Sequence, residues 1–268
     1  MNDDHRLAGR NIWVIGASSG IGAALATELV ARGARVAISA RRIDELDAVA
    51  AGRMTVVTVD VTDRDGVDAA VGQVRDELGE IDMVVYNAGF WERMDAGAWD
   101  RDLFARHVEI NLLGLNNCIG AVLPEMMQAG RGQLVSVASV AGYRGLAGAE
   151  AYGATKAAQI NLLEALRGAV ASRGISVTTV CPGFVRTDLT AKNTFPMPFM
   201  IDADTAARSI CDGLERGRME IVFPLPMAVL MKIARLLPVR TWTAVGRRLG
   251  GGATSKPGQP SGVNAKTG

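Results

Sequence analysis

A doubly wound α/β fold, one parallel sheet between two layers of helices, is what the 268-residue sequence predicts. Short apolar runs alternate with helix-length segments from the N-terminus onward, the order that produces parallel strands joined by helical crossovers. The runs are continuously apolar, as strands are when helices cover both faces of their sheet. A composition that is 49% hydrophobic is ample for one substantial core, and the length falls within the range of a single α/β domain.

The first strand is read at Ile12–Ile15 and leads into Gly16-Ala17-Ser18-Ser19-Gly20-Ile21-Gly22, with a helix from about Gly20. Glycines here let the backbone turn tightly and approach a pyrophosphate, whose charge suits the free N–H groups at the positive end of the helix. The ligand-free alternative is a simple tight turn. A second strand, Val36–Ser39, ends in Ala40-Arg41-Arg42. An acidic residue at such a tip accepts from an adenosine ribose, whereas a basic one accommodates a 2′-phosphate. No carboxylate stands there, and the forked guanidiniums of Arg41 and Arg42 suit phosphate. NADP(H) is therefore expected over NAD(H), the alternative being that both arginines are only the polar start of the helix from about Ile43.

The third strand, Thr55–Val59, runs to Asp60 and Val61. Asp60 can accept from an adenine amino group, or serve a helix N-terminus together with Thr62 and Asp63. Asp63–Leu78 reads as that helix, and Met83–Tyr86 as the next strand. Asn87-Ala88-Gly89 then offers small residues that let the chain pass near the adenosine. A long helical region ends near Gln128, Gln133–Ala138 is a strand, a helix begins at about Tyr152, and Ser176–Val180 is again a strand.

Tyr152-Gly153-Ala154-Thr155-Lys156 carries the chemistry. Residues four apart share a helix face, so the phenol and the ammonium point into one pocket. A free tyrosine has a pKa of about 10, and a neighbouring Lys156 cation is expected to lower it. Tyr152 could then give a proton to a carbonyl oxygen as hydride arrives, or take one from an alcohol. Ser139, just past its strand, could orient the same oxygen.

Together these stretches resemble the short-chain dehydrogenase/reductase family in its single-domain, Rossmann-type form, from roughly Leu7 to Phe223. The resemblance implies that Gly16, Gly20 and Gly22 are the family's glycine loop and Asn87-Ala88-Gly89 its Asn-Ala-Gly. It implies that Asn111 holds a water in a proton relay and that Ser139, Tyr152 and Lys156 are catalytic, with Lys156 also on the nicotinamide ribose. Pro182, Gly183, Val185 and Thr187 would line the nicotinamide. Ile15 departs from the threonine often found before the first glycine, which removes one possible turn hydrogen bond. The family commonly forms homodimers or homotetramers through its two long central helices.

Phe90, Trp91, Tyr143, Leu146, Phe184 and the loop from Thr194 to Met200 are expected on the substrate side, or as packing of a lid. Such an apolar, adaptable wall suits a bulky or acyl-chain-bearing carbonyl or alcohol. Beyond Phe223 lies a short apolar helical pattern with only basic charge: from Ile221 on there are seven Lys or Arg and no Asp or Glu, so the preceding part carries net −6. The segment 224–249 is too short to span a bilayer, and could lie on an anionic membrane surface, cap the substrate pocket or form a subunit contact. Three divisions are thus expected: a catalytic domain at 1–223, this extension, and a Gly/Ser/Pro/Lys-rich disordered tail at 250–268.

The net charge of +1 gives no reason for a nucleic-acid partner. Cys118, Cys181 and Cys211 match no metal or redox pair. With a polar, acidic start unlike a secretory signal, a cytoplasmic protein with reduced thiols and no metal is expected. Rival functions are a non-catalytic NADP(H) sensor or scaffold on the same fold, which would not need the proton-transfer groups, and an isomerase or epimerase that uses the cofactor.

Overall fold

The computed structural model describes residues 5–193 and 195–250; the tail expected at 250–268 lies, from residue 251 on, outside the described residues. The sheet is built from β1 (Asn11–Ile15), β2 (Arg35–Ser39), β3 (Thr55–Val56), β4 (Met83–Tyr86), β5 (Gly132–Val137), β6 (Ile175–Pro182) and β9 (Glu220–Phe223), all parallel, in the order β3-β2-β1-β4-β5-β6-β9. The predicted doubly wound, three-layer α/β fold is the one observed. A short parallel pair, β7 (Val185–Arg186) with β8 (Ile201–Asp202), stands apart.

Strand alternation explains the continuous apolar runs. On β1, Ile12 and Val14 enter one core while Trp13 and Ile15 enter the other, and on β4 Met83 and Val85 part from Val84 and Tyr86 in the same way. The first core is closed by α1 (Gly20–Ala31), α2 (Ile43–Ala50) and α8 (Ala203–Glu215), through Leu25, Leu29, Leu46 and Ile210. The second is closed by α3 (Arg64–Leu78), α5 (Gly114–Ala129) and α6 (Glu150–Val170), through Val67, Val74, Leu115 and Leu163. Trp13 is fully buried, and its indole N–H is satisfied by the Ser39 hydroxyl at 2.8 Å.

Several boundaries differ from expectation for local reasons. Only Thr55–Val56 forms ladder, yet Val57 N and Val59 N still donate to Ile38 O (3.1 Å) and Ala40 O (3.0 Å), so the chain keeps strand direction to Asp60. Asp63 is the N-cap of α3, its carboxylate accepting from Gly66 N at 3.2 Å. The long region before Gln128 is three pieces: α4 (Arg101–Val108), a π-turn at Glu109–Leu113, and α5. α8 and β9 were not read from the sequence, because the buried side of α8 is made largely of small residues (Ala206, Ala207, Cys211) and β9 is only four residues long.

The C-terminal pattern is two helices, α9 (Leu225–Leu236) and α10 (Val239–Gly250), separated at Pro238, whose missing N–H and ring end a helix. α9 buries Met227, Met231 and Ala234 against Ala138, Val140, Tyr143 and Cys181. It thus forms the floor beneath the carboxyl ends of β5 and β6.

Candidate active site

The sheet order reverses between β1 and β4, and in open α/β sheets the crevice at the carboxyl ends of such strands is where ligands bind. Three sequence-singled glycines meet there. Gly16 has φ +86°, and a Cβ on it would lie 2.4 Å from Ala88 N. One on Gly22 would lie 2.1 Å from the Gly16 carbonyl oxygen. Asn87 ties the two segments by donating its amide to Gly16 O at 2.7 Å. Gly20, at φ +58°, lies beneath the Thr187 methyl, which a Cβ would approach to 3.0 Å. Ser19 is the N-cap of α1 with no side-chain bond to the helix, which leaves those first N–H groups for an anion. This glycine-walled turn, open to an oxyanion at a helix N-terminus, fits the pyrophosphate of a dinucleotide, with Ile21 behind it against the core.

At the tip of β2, Ser39 is buried and its carbonyl accepts from Gly16 N (2.7 Å) and Ala17 N (3.1 Å). Arg42 donates to the Ser18 hydroxyl at 3.0 Å and pairs with Glu45 at 3.0 Å, while Arg41 stands 3.9 Å from Asp60. Both guanidiniums are exposed beside the glycine loop. Arg42 is also the N-cap position of α2, as the helix-start alternative expects. Asp60 closes a turn on Thr62, accepting from its N–H (3.0 Å) and hydroxyl (2.8 Å). Partial burial raises the Asp60 carboxyl, but these bonds and Arg41 outweigh it and hold the group below the usual carboxylate range. Val61 is buried against Gly114, its carbonyl accepting from Asn117 at 3.0 Å.

Ser139, Tyr152 and Lys156 come together at the end of β5. Ser139 caps a 3-10 turn at Val140–Gly142, accepting from Ala141 N at 3.1 Å. Gly142 lets that turn press on α6: a Cβ there would lie 2.7 Å from the Lys156 carbonyl carbon. The Ser139 hydroxyl faces the Tyr152 phenol closely enough to act on its ionisation, and the Lys156 ammonium lies 5.6 Å from the Tyr152 ring centroid. Lys156 is buried and donates to Val137 O at 2.8 Å. Burial pushes the phenol up to about 12 against the lowering influence of Ser139, and brings the ammonium down to about 7. The expected lowering of Tyr152 by Lys156 is not found in the protein alone: the phenol is raised, because loss of solvent disfavours the charged form of both groups.

The chain matches the short chain dehydrogenase family over residues 10–196. The chain belongs to that family. It is 40% identical to an oxidoreductase of Myxococcus xanthus, over 90% of this chain and 97% of that one. An oxidoreductase of Mycobacterium tuberculosis is 33% identical, over 86% and 95%. A 3-oxoacyl-[acyl-carrier-protein] reductase of Salmonella typhimurium is 38% identical, over 68% and 76%. A short-chain dehydrogenase from Streptomyces avermitilis superposes with a TM-score of 0.77 at 28% identity, covering 90% of this chain and 99% of that one. Short-chain dehydrogenases are oxidoreductases that generally bind a nicotinamide cofactor, act on small molecules and are commonly oligomeric.

The other residues that the sequence marks as candidates fall around the same crevice of this short-chain dehydrogenase. Asn111 is fully buried on the π-turn; its side chain accepts from Phe90 N (2.7 Å) and donates to Phe90 O and Thr155 Oγ1 (both 3.0 Å). It therefore fixes the chain just after Gly89, which runs beside Lys156. Pro182 ends β6, and a Cβ on Gly183 would meet Met227 at 2.8 Å, so α9 supports this stretch from below. Val185 is buried in β7, and Thr187 is the N-cap of α7 (Asp188–Ala191).

On the substrate side, Trp91 packs edge-on to Tyr152 with centroids 5.2 Å apart and donates to Asn193 at 2.9 Å. Phe184 lies 6.1 Å from Phe195, and Leu146 is partly exposed. Tyr143 does not face this space: it is buried, and its hydroxyl donates to Glu220 at 2.6 Å, part of the seam with α9. Thr194 lies outside the described residues.

Two supporting residues escaped the sequence reading. His107 is fully buried beneath Phe90 (4.7 Å between centroids), and its Nε2 accepts from Glu92 N at 3.2 Å. Burial holds it below the ordinary histidine value, hence neutral. Gln159 is the other. Its position on the Tyr152 and Lys156 face of α6, three residues beyond the lysine, was the available signal. Among the described residues there is no cluster of metal-ligating groups, and all three cysteines are free and buried.

Proposed function

We propose that the protein is an NADPH-dependent carbonyl reductase acting on an apolar or acyl-chain-bearing substrate. The observation that carries this reading is a Tyr152 phenol, facing Ser139 and one helical turn from Lys156, standing beside a glycine-walled turn suited to a dinucleotide. The bound cofactor supplies hydride.

The chain's own residues do the rest. Gly16, Ser18, Ser19, Gly20, Ile21 and Gly22 hold the pyrophosphate, and Arg41 and Arg42 the 2′-phosphate. Asp60, Val61, Asn87, Ala88 and Gly89 flank the adenosine, and Pro182, Gly183, Val185 and Thr187 line the nicotinamide end. Ser139 donates to the substrate carbonyl oxygen and orients it. Tyr152, protonated at neutral pH because burial disfavours its phenolate, gives its proton to that oxygen as hydride reaches the carbon. Lys156 holds the ribose and stabilises the phenolate left behind. Asn111 keeps the Phe90 backbone against this group. Trp91, Phe184 and Phe195 supply the apolar wall, and the acyl preference draws on the Salmonella typhimurium relative's named activity.

Following NADPH absorbance over carbonyls graded in chain length tests this. Turnover rising with chain length is the expected result, and no turnover of any carbonyl contradicts it. For the cofactor, exchanging Arg41 and Arg42 for Ala is expected to weaken NADPH about 10- to 100-fold, the value of lost charge-assisted bonds, while leaving NADH nearly unchanged. Equal or tighter binding of NADH by the wild type would sink the NADP(H) assignment.

The same reading extends to partners. A homodimer or homotetramer through α5 and α6 is expected. α9 carries exposed Leu225, Val229, Leu230, Ile233 and Leu236, in a stretch of chain whose charges are all basic. Lys232 is paired with Glu220 at 2.8 Å and Arg235 lies over the Tyr143 ring, so the outer face of α9 is chiefly apolar, and an anionic bilayer surface would complement it together with the basic residues further along the chain. The protein is thus read as cytoplasmic and peripheral to a membrane. No helix among the described residues is long and apolar enough to cross one.

A further inference from the structure

We infer that Gln159 is a positioning residue for Lys156, its carboxamide holding the ammonium in register with the π-turn that carries Asn111. The inference rests on the assignment of Lys156 to the active site, and the geometry is specific. Gln159 is fully buried, three residues after Lys156 on the same face of α6. Its Oε1 accepts from Lys156 Nζ at 3.1 Å, and its Nε2 donates to the Asn111 carbonyl. That carbonyl belongs to the π-turn, as does that of Ile110, which accepts from the Tyr86 hydroxyl. The Asn111 side chain in turn bonds Thr155 Oγ1, which donates to the Tyr152 carbonyl at 2.8 Å. A ring of bonds therefore joins the Lys156 ammonium, Gln159, Asn111, Thr155 and the backbone at Tyr152.

A lysine is a point charge on a flexible stem, so where it points depends on the acceptors around it. Here the fixed acceptors are the Val137 carbonyl and Gln159 Oε1. The titratable groups facing Lys156 are Tyr152 on its own helix and Cys181 on β6, and no carboxylate is among the groups that shift it. An amide has no readily titrated proton, so Gln159 orients the ammonium without relaying protons. An acceptor for a charged N–H also favours the charged form.

The test needs no cofactor. Thermal stability of each Gln159 variant is compared with that of its own Lys156→Met double variant across pH, which isolates the titration of Lys156. In Gln159→Met, similar in length, the onset of the Lys156-dependent rise in stability is expected about one pH unit lower, the size of a lost bond to a charged group. In Gln159→Glu the added carboxylate moves it higher. Loosened packing alone cannot move it both ways. In the enzyme with NADPH, the alkaline limb of kcat/KM for reduction should move in the same two directions. Onsets that stay put, or that move together, overturn the inference. If Gln159→Met does not fold, an unmoved onset in Gln159→Glu does so by itself. Absence of turnover in the wild type would count against the proposed reaction and leave the stability result to judge Gln159.

Discussion

At the scale of single residues, burial decides the chemistry. Lys156 has a native pKa near 7 against 10.5 for the free side chain. Between these values the unfolded chain binds more protons than the folded one, so stability rises with pH across that window, and below about 7 the full cost of the buried charge stands. Lys156→Met should therefore gain most in melting temperature relative to wild type below pH 7, with the difference narrowing toward pH 10. A difference constant with pH would refute this. Gly22→Ala tests the cradle: with a Cβ 2.1 Å from Gly16 O, the turn must move, at a cost of roughly 1–3 kcal/mol. Both the melting temperature and NADPH affinity should fall, and wild-type values of both would contradict the account. The glycine loop, Asn87, Ser139, Tyr152 and Lys156 could be read from the residues because each sits at a fixed offset from a strand end or shares a helix turn, whereas Asn111, on the π-turn, came only from the family resemblance. The direction of the Tyr152 shift could not be read, since it depends on lost solvent rather than on spacing. His107 was missed because a lone polar residue in a helix carries no mark of its burial, and Gln159 because its spacing marks the face it shares with Lys156 but not the burial.

At the scale of elements, the central strands β1, β2, β4, β5 and β6 came through the sequence well because both of their faces are buried. The helix over 64–78 did so because Asp63 gives it an N-cap. Asp63→Ala should cost about 1 kcal/mol by loss of that cap, measured by denaturant titration; no change in midpoint would show the cap to be idle. The π-turn at Glu109–Leu113 was illegible, since nothing in its composition separates it from the flanking α-helices, yet it is what presents the Asn111 carbonyl to Gln159. α9 is likewise more than an appendage. Met231 is buried against the seam below β5 and β6, so Met231→Ala should destabilise by about 2–5 kcal/mol, whereas Leu230→Ser, on the exposed face, should change stability by less than about 0.5 kcal/mol. Similar losses for both would mean that α9 has no distinct inner face.

At the scale of the whole molecule, two cores on one sheet place the glycine-walled turn, Tyr152 and the α9 floor around a single crevice. The outward face of α9 remains, and flotation with vesicles containing phosphatidylserine decides its role. Binding at low salt that weakens as salt rises, and weakens further in Leu230→Ser/Ile233→Ser, is expected; no binding at low salt removes the membrane reading. The central claim is that Tyr152 supplies the proton, and Tyr152→Phe tests it most directly when NADPH affinity and kcat are measured on the same preparation. The account predicts NADPH binding within about twofold of wild type and a loss of about 100- to 10,000-fold in kcat. Retained turnover with intact cofactor binding would contradict it.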